Sequence, residues 1–583
     1  MERMVMTNRM SQRGMGEEGI AMITTLLVVL VTGALVTGAI LLGSNHLLVD
    51  RYWARHSNLV TLADAGLGEA RAILNGDGSV YPDSGYVALE EGAAVRDGEG
   101  EIIPGLKRWT YVGPAGITSG QYGVFGAAVS VVRDEGGGVA IRRQQIYQES
   151  FAKFAYFTDN EGGNIYFASG DNIWGPLHTN DQIKVHSSGA HFHDDVTTAQ
   201  DISGEWYGTF DKGYSEYTSV IPMPETAELT KLENQAQDGH TAFNGSFSGD
   251  DGEATTRIEF VAVDLNSDGD VTDEDEGFIR VYQSSNPEWV VGKPTGTALE
   301  QCGDYHGSTF VPGADHDPSV HGHDWVTALT SSSRRCYLGG DDRIWNGFQA
   351  TDSHGRWLQW TGSVDPQLSA LRADANYLFP INRPLNPDFK GVIFVDGNVA
   401  VSGVIRGRVT VAATGNIVFA DDITYATDPG AGTCADMAGY FSGQKVVMSH
   451  NLLNSPWRVS GSYNYYTFDE SKAEFFHGVV LALDIFTAED YTSGSTSAQY
   501  CEGTRSGRGC IYLTGGIIQD TRGAVGLTDG HGYIKRYSYD KCAATQPPPY
   551  FPTTGVFAEG QYYQVDPAGF NIDNYFRLLA PGG

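Results

Sequence analysis

The sequence predicts a mainly β protein: a long amino-terminal α-helix, a small α+β head, and a large parallel β-helix or solenoid-like body with an inserted calcium-loop hairpin. Three observations predict this class. No Asp, Glu, Lys or Arg occurs between Gly19 and Val49, and this apolar run passes directly into an amphipathic one. Beyond Phe154 the chain becomes a succession of short apolar pieces broken by Gly, Asn, Asp and Ser. A single aspartate-rich stretch, Asp264 to Asp275, lies between two segments of strand-like alternation.

Composition agrees. A chain of 583 residues exceeds one core and suggests about three to four compact units. Its 74 glycines, 30 tyrosines and 26 phenylalanines suit short strands and tight turns. The net charge of -33, from 38 basic and 71 acidic residues, repels nucleic-acid backbones, so no nucleic-acid partner is expected. It attracts cations and suits an exported, solvated surface.

The helix comes first. Ile20 to Leu42 is long enough to cross a hydrocarbon core of roughly 30 Å at about 1.5 Å per residue. A secretory signal has a shorter apolar core followed by a small-residue cleavage site. Here the run continues into Leu48, Tyr52, Leu59, Leu62, Leu67, Ala70 and Leu74, mostly at three- and four-residue steps, the mark of one helical stripe. Asn75 to Gly78 supply stop residues. One helix of more than fifty residues is expected, apolar all round in its first half and amphipathic in its second.

This segment resembles the amino-terminal helix of type IV pilin-like proteins, specifically the PilX-type minor pilins. The resemblance rests on a polar leader with Arg9 and Arg13 that ends in glycine, "RGMGEEG" before "IAMITTLL", on the abrupt start of the apolar run, and on "TLADAGLGEAR" at Thr61 to Arg71. It covers roughly residues 12 to 75. It implies that a prepilin peptidase cuts after Gly19, leaving Ile20 as the new terminus, with Gly14 or Gly16 as other candidate sites. It also implies that the helix rests in the inner membrane of a bacterium before assembly machinery packs it among other pilin-like subunits in a cell-surface filament. The family generally has Glu at the fifth mature position, where this chain has Thr24. That departure points to a minor, tip or assembly-priming subunit; an ordinary uncleaved anchor is the other reading.

The division that follows is a leader at 1–19, the helix at 20–75, a small β head at 76–150, a first β-helix part at 151–225, an insertion with the calcium loop at 226–385, and a second β-helix part with the carboxy-terminal region at 386–583. In the head, "YGVFGAAVSVVRD" and "GVAIRRQQIYQES" alternate around Glu135 to Gly138, as a hairpin does. In the body, "GNVAV" and "GNIVF" stand eighteen residues apart, with glycines at 397 and 415. Short strands with turn residues at near-regular spacing suit a parallel solenoid; a β-sandwich is the alternative. "GPLHTND", "VIFVDGNVAVSG", "GVVLALDIF" and "CIYLTGGIIQDTRGAVG" also resemble a β-rich domain of uncharacterised function that recurs behind PilX-type helices.

"DLNSDGDVTDED" carries the clearest chemistry. Asp264, Asn266 and Asp268 offer side-chain oxygens at positions one, three and five, Gly269 permits the turn at six, Asp270 offers its carbonyl at seven, Thr272 stands at nine, and Asp275 closes at twelve. This spacing suits a hard cation, so a structural Ca2+ is expected. The flanks "RIEFVAV" and "GFIRVY" alternate, so the loop belongs to a hairpin rather than a helix pair; an acidic turn without metal is the plain alternative.

Other candidates are weaker. His178, His186, His191 and His193 lie in one stretch, with His191 and His193 on one strand face; His316, His321 and His323 lie in another. Either group suits a transition metal, although such residues are more often solvated. Asp194/Asp195 and Asp421/Asp422 invite a carbohydrate-hydrolase reading, yet strand neighbours point to opposite faces, and a glycosidase needs two carboxyl groups facing across a cleft. The six cysteines, Cys302, Cys336, Cys434, Cys501, Cys510 and Cys542, all follow the apolar run and read as disulfides on the exported side. Several pairings are possible; Cys302–Cys336, Cys501–Cys510 and Cys434–Cys542 are favoured, against buried free thiols. With no recognisable catalytic motif, the chain reads as a non-enzymatic, membrane-anchored filament subunit whose body faces a surface glycan or other host ligand. A cell-tethered β-helical protein that binds or degrades polysaccharide is the alternative.

Overall fold

The computed structural model describes residues 17–82, 84–115, 123–163, 165–246, 252–285, 287, 290, 303–306, 309–312, 355–372, 374–449, 473–489, 491–492, 510–527 and 531–579. One unbroken helix of 60 residues spans Glu17–Gly76, so the apolar and amphipathic runs are a single element. Its environment changes at Leu59. Upstream, side chains on every face are exposed, among them Leu26, Leu30, Leu35, Ile40, Leu48 and Tyr52. Downstream, Leu59, Ala63, Leu67, Ala70 and Leu74 are buried. Leu48 and Tyr52 therefore lie outside the packed stripe expected to include them. The apolar contact with the sheet, through Val132 and Ala140, begins only at Leu59 and Ala63.

Two compact units divide the chain: residues 1–114, 127–146 and 559–583 form the first, residues 115–126 and 147–558 the second. The first holds the helix and a five-stranded sheet, ordered Val87–Arg96, Ile102–Pro114, Phe125–Asp134, Val139–Ser150 and Thr553–Val565. Residues 559–579 thus belong with the head, so the region expected at 386–583 as a second β-helix part with the carboxy-terminal region is shared between the two units. The short helix Ile572–Leu579 stays there because buried Phe576 stacks on Tyr86 at 5.2 Å and the Tyr86 hydroxyl donates to Asp573 at 2.7 Å.

Charge pairs fix the helix on the sheet. Arg142 donates to Asp64 at 2.6 Å, Arg71 to Glu559 at 2.6 Å, and Arg108 to Glu90 at 2.7 Å and also to Glu69. Gly66 lets the two surfaces approach. A Cβ there would stand 2.6 Å from Ser130 Oγ and 2.7 Å from Arg108 Cδ, whereas a Cβ on Gly68 meets nothing within 4 Å. The first glycine of "AGLG" is thus a packing requirement; the second is not.

The second unit is a parallel β-solenoid. One ladder stacks Ala242–Asn244, Val392–Asp396, Arg408–Ala413, Met437–Ser442, Ala473–Ala482 and Cys510–Thr521, every pair parallel. It then continues, still parallel, into Tyr156–Asn160, Leu177–Thr179, Val196–Thr198 and Tyr214–Ser215. A second ladder stacks Thr256–Ala262, Val399–Ile405, Ile417–Tyr425, Val446–Met448 and Phe486–Ala488. Rung order is therefore not chain order: the earliest strands of the body stack beyond the latest. The eighteen-residue echo of "GNVAV" and "GNIVF" is real register, since Val399 pairs with Ile417. At the corner it marks, Asn398 Oδ1 accepts from Asn416 N at 2.8 Å and Asn416 Oδ1 from Lys445 N at 3.1 Å. Both asparagines are buried, and each satisfies a donor that would otherwise be orphaned. Inward residues such as Ile258, Val401, Phe419, Tyr440, Phe476 and Phe486 form one continuous core.

The segment expected as an insertion at 226–385 is in part the end of the solenoid itself. Thr256–Ala262 supplies a rung, and Gly277–Gln283 pairs antiparallel along its outer side. The alternation in "RIEFVAV" and "GFIRVY" puts Ile258, Phe260, Ile279 and Val281 into the core. The opposite face is charged yet also buried: Arg280 donates to Glu259 at 2.7 Å and to Asp374 at 3.0 Å, and Arg372 donates to Asp374 at 2.8 Å. Trp357 covers Arg280, whose guanidinium lies 4.7 Å from the ring centroid.

The close approach at Gly66 yields a paired test. Overpacking typically costs about 1–3 kcal/mol, and an exposed helical Gly→Ala gains roughly 1 kcal/mol. In the full chain in detergent, Gly66→Leu should lower denaturant stability by the first amount, while Gly68→Ala should leave it unchanged or raise it.

Candidate functional site

Among the described residues, three places carry chemistry: the exposed half of the long helix, the aspartate loop, and a histidine cluster on the first rungs of the body. In the helix, the 18-residue apolar window has a mean hydropathy of 2.5 and no part of it is buried. Its few hydroxyls are turned inward to the backbone: Thr25 donates to Ala21 O, Thr32 to Val28 O and Thr37 to Gly33 O, each at 2.7 Å. The lateral surface therefore offers almost no hydrogen-bonding group, as an apolar surrounding requires. Thr24 likewise donates to Ala21 O at 3.0 Å. The bond between Gly19 and Ile20 lies in the first turn of the helix.

The aspartate loop joins the two strands of the capping hairpin. Asp264 accepts from Asp268 N at 3.2 Å and from Gly269 N at 3.0 Å; Asn266 Oδ1 accepts from Asp268 N at 2.8 Å; Asp268 accepts from Asp270 N at 3.2 Å. Ser267 and Gly269 have φ of 61° and 98°, which curls the backbone around these side chains. Asp270 accepts from Thr272 N and Oγ1 at 3.0 and 2.7 Å, and these bonds hold its carboxyl below the usual range. Residues 266–270 are exposed, while Asp275 is half-buried and its carbonyl accepts from Asn382 at 3.0 Å.

The motif's later half is held by residues outside it. Glu276, at position thirteen, is buried and accepts from Leu265 N and Asp273 N, each at 2.9 Å. Burial, with Asp273 and Asp264 nearby, raises its pKa. Arg406, on the turn after Val399–Ile405, donates to the carbonyls of Thr272 and Asp273 and, at 2.7 Å, to Asp436. The oxygens of Asp264, Asn266, Asp268 and Asp270 fit a hard cation by donor type. Asn266 has its amide nitrogen turned to Asp268 and Asp273, at 2.9 and 2.6 Å.

Of the histidines, the structure brings together His191 and His193, with Asp211 from the next rung. His191 Nε2 lies 2.8 Å from Asp211 Oδ1, and His193 Nδ1 lies 2.9 Å from Asp211 Oδ2. These bonds hold the Asp211 carboxyl below the usual range. His178 is elsewhere, buried against Thr197 and Asn180 at 2.8 and 3.0 Å, with burial lowering its pKa. His186 turns to Ser188. His316, His321 and His323 lie outside the described residues.

The paired acids have local partners. Asp194 accepts from Lys212 at 2.6 Å, and buried Asp421 accepts from Asp422 N at 2.9 Å. Cys434 and Cys542 form a disulfide, 108 residues apart in sequence and 5.4 Å apart between Cα atoms. Cys510 is also disulfide-bonded; Cys302, Cys336 and Cys501 lie outside the described residues. Sequence reasoning missed Glu276, Arg406 and Asp211. The eighteen-residue rung spacing from His193 to Asp211 was the available signal for the last; Arg406 had none.

No protein-family model and no curated protein matches the chain. Among solved structures, a similar chain is the competence-associated pilin ComZ from Thermus thermophilus, at 10% identity over 88% of this chain and 97% of that one, with a TM-score of 0.24. A similarity that low carries no argument about fold or function.

The loop's dependence on Arg406 is testable. Truncating one partner of a buried charged pair costs about 3–5 kcal/mol. Arg406→Ala should destabilise the full chain by that order and raise hydrogen exchange first at residues 272–276, a pattern read by exchange mass spectrometry.

Proposed function

We propose that this chain is a membrane-anchored, pilin-like structural subunit of a type IV pilus-like filament, in a minor, tip or assembly-priming position. The helix carries this reading. One element is apolar and uncovered on all sides over its first half, then becomes the packed spine of a head domain from Leu59 onward. Such a surface needs lipid or other apolar helices around it, and a subunit that moves from a bilayer into a filament supplies both in turn. Arg71, Asp64 and Glu69, in the "ADAGLGEAR" segment, pair with the head, so the helix and head move together. The solenoid then serves as the presented surface, for adhesion to a glycan or other ligand, and the aspartate loop binds a structural Ca2+ at the capped end of the solenoid.

Processing tests the first part. Co-expressed with a prepilin peptidase, the mature protein should begin at Ile20, and Gly19→Leu should block cutting and keep the protein out of sheared filaments. Intact Met1 on the mature protein would leave only an uncleaved anchor. Because the scissile bond lies in a helical turn, cutting also requires that turn to open.

Calorimetry tests the second part. Ca2+ should bind the full chain, and Asp268→Ala should weaken binding. With Glu276, Arg406 and Asn382 fixing the later half, chelation should expose residues 264–270 to protease and leave the hairpin strands intact. No heat of binding would reduce the loop to an acidic turn.

A further inference from the structure

The first rungs of the solenoid carry a second ligand set, different in chemistry from the aspartate loop. Asn172–Ile173, Ala190–Phe192 and Gly208–Phe210 form a three-stranded parallel sheet. Asn172 is in register with His191, and Phe192 with Phe210. His193 and Asp211 therefore follow at equivalent positions on neighbouring rungs. Their backbones are fixed: His191 N donates to Asp171 O at 3.0 Å, His193 N to Ile173 O at 2.9 Å, and Asp211 N to Phe192 O at 3.0 Å. The ligand atoms of His191, His193 and Asp211 all lie within 4.8 Å of one another.

Two features set this cluster apart from ordinary histidine–carboxylate pairs. Both imidazoles address one carboxylate, with their ring centroids only 3.7 Å apart. The neighbouring Lys212 is turned to Asp194. The indole of Trp174 also lies on His193, centroids 3.6 Å apart and planes 12° from parallel. Asn172 Oδ1 stands 3.4 Å from His193 Nε2, at the ring edge opposite Asp211. A histidine whose far edge is held while its near nitrogen faces a shared point is the arrangement of a metal ligand with outer support.

We propose that His191 Nε2, His193 Nδ1 and one Asp211 carboxylate oxygen bind a divalent first-row transition ion of the zinc, nickel or copper type. Two imidazoles and a carboxylate suit these borderline ions. Calcium and magnesium prefer all-oxygen sites, so the two sites of this chain select different metals. With the ion bound, each neutral imidazole ligates through the nitrogen facing Asp211 and carries its single ring proton on the other, Nδ1 of His191 and Nε2 of His193, the latter facing Asn172 Oδ1; the remaining coordination positions face solvent, because His191 and Asp211 are partly exposed. It staples adjacent rungs where strands are only two or three residues long, and its open positions can take a ligand donor from outside.

The full chain in detergent, stripped with a chelator and titrated with Ni2+ or Zn2+ in excess Ca2+, tests the site. Calorimetry should show an ion bound with Ca2+ present, and Ni2+ should quench indole fluorescence through Trp174. Loss of an outer partner alone typically weakens a metal site 10–100-fold, so His191→Ala and Asp211→Asn should each weaken binding about tenfold or more. Trp174→Phe should keep the affinity and remove most of the quenching. Asp211→Asn preserves side-chain shape, so a loss of binding there with an unchanged circular dichroism spectrum is not misfolding. Absence of binding, competition by Ca2+, or unchanged affinity in the His191→Ala/Asp211→Asn double variant would overturn the proposal, the last by placing the ion on other histidines.

Discussion

The pairing of Tyr156–Asn160 with Cys510–Thr521 is the contact on which the body depends. It joins residues 517 and 156 in one parallel register, and Leu177–Thr179, Val196–Thr198 and Tyr214–Ser215 hang from it in turn. The seam is sealed by a buried ion pair: Arg522 donates to Glu161 at 2.8 Å, and its guanidinium lies 4.0 Å from the Phe167 ring centroid. Two charges are stable there because each meets the other and a hydrogen-bonded surrounding; removing either would strand its partner in an apolar interior.

A parallel ladder has two ends, and both need protection from further pairing. The two ends here are managed differently. At one, the antiparallel strand Gly277–Gln283 lies along Thr256–Ala262 and interrupts the parallel pattern, with Arg280, Glu259 and Asp374 buried on the far face. At the other, the strands shrink to Tyr214–Ser215, too short to recruit a new strand. The two proposed metal sites sit at these two ends: the hard-oxygen loop on the antiparallel cap, and the histidine cluster on the shortening rungs. Each would supply stability where backbone pairing gives least.

Local pattern made the helix, the hairpin at Glu135–Gly138 and the eighteen-residue rung legible in the sequence, because each is written in residues close together. The Asp264–Asp275 loop was legible for the same reason. What pairs across long separations was not. Nothing near Arg406 signals that it reaches Thr272 and Asp273, and nothing near Thr553–Val565 signals that it joins the head sheet. The buried stripe was overextended to Leu48 and Tyr52 because helical periodicity continues whether or not a sheet is present to receive it. Asp211 lay within reach of inference: once a rung length is known, a residue one rung beyond a histidine is its neighbour in space.

The order of the rungs also sets a schedule for biosynthesis. The strands from 156 to 215 leave the ribosome some three hundred residues before Cys510–Thr521, their template. Until that strand arrives they are an unprotected edge, and contacts of such long separation form slowly. The helix Glu17–Gly76 is translated before all of them. Held in a bilayer, it would tether the unfinished chain at one point and keep one nascent edge from meeting another while the body waits for its last rung.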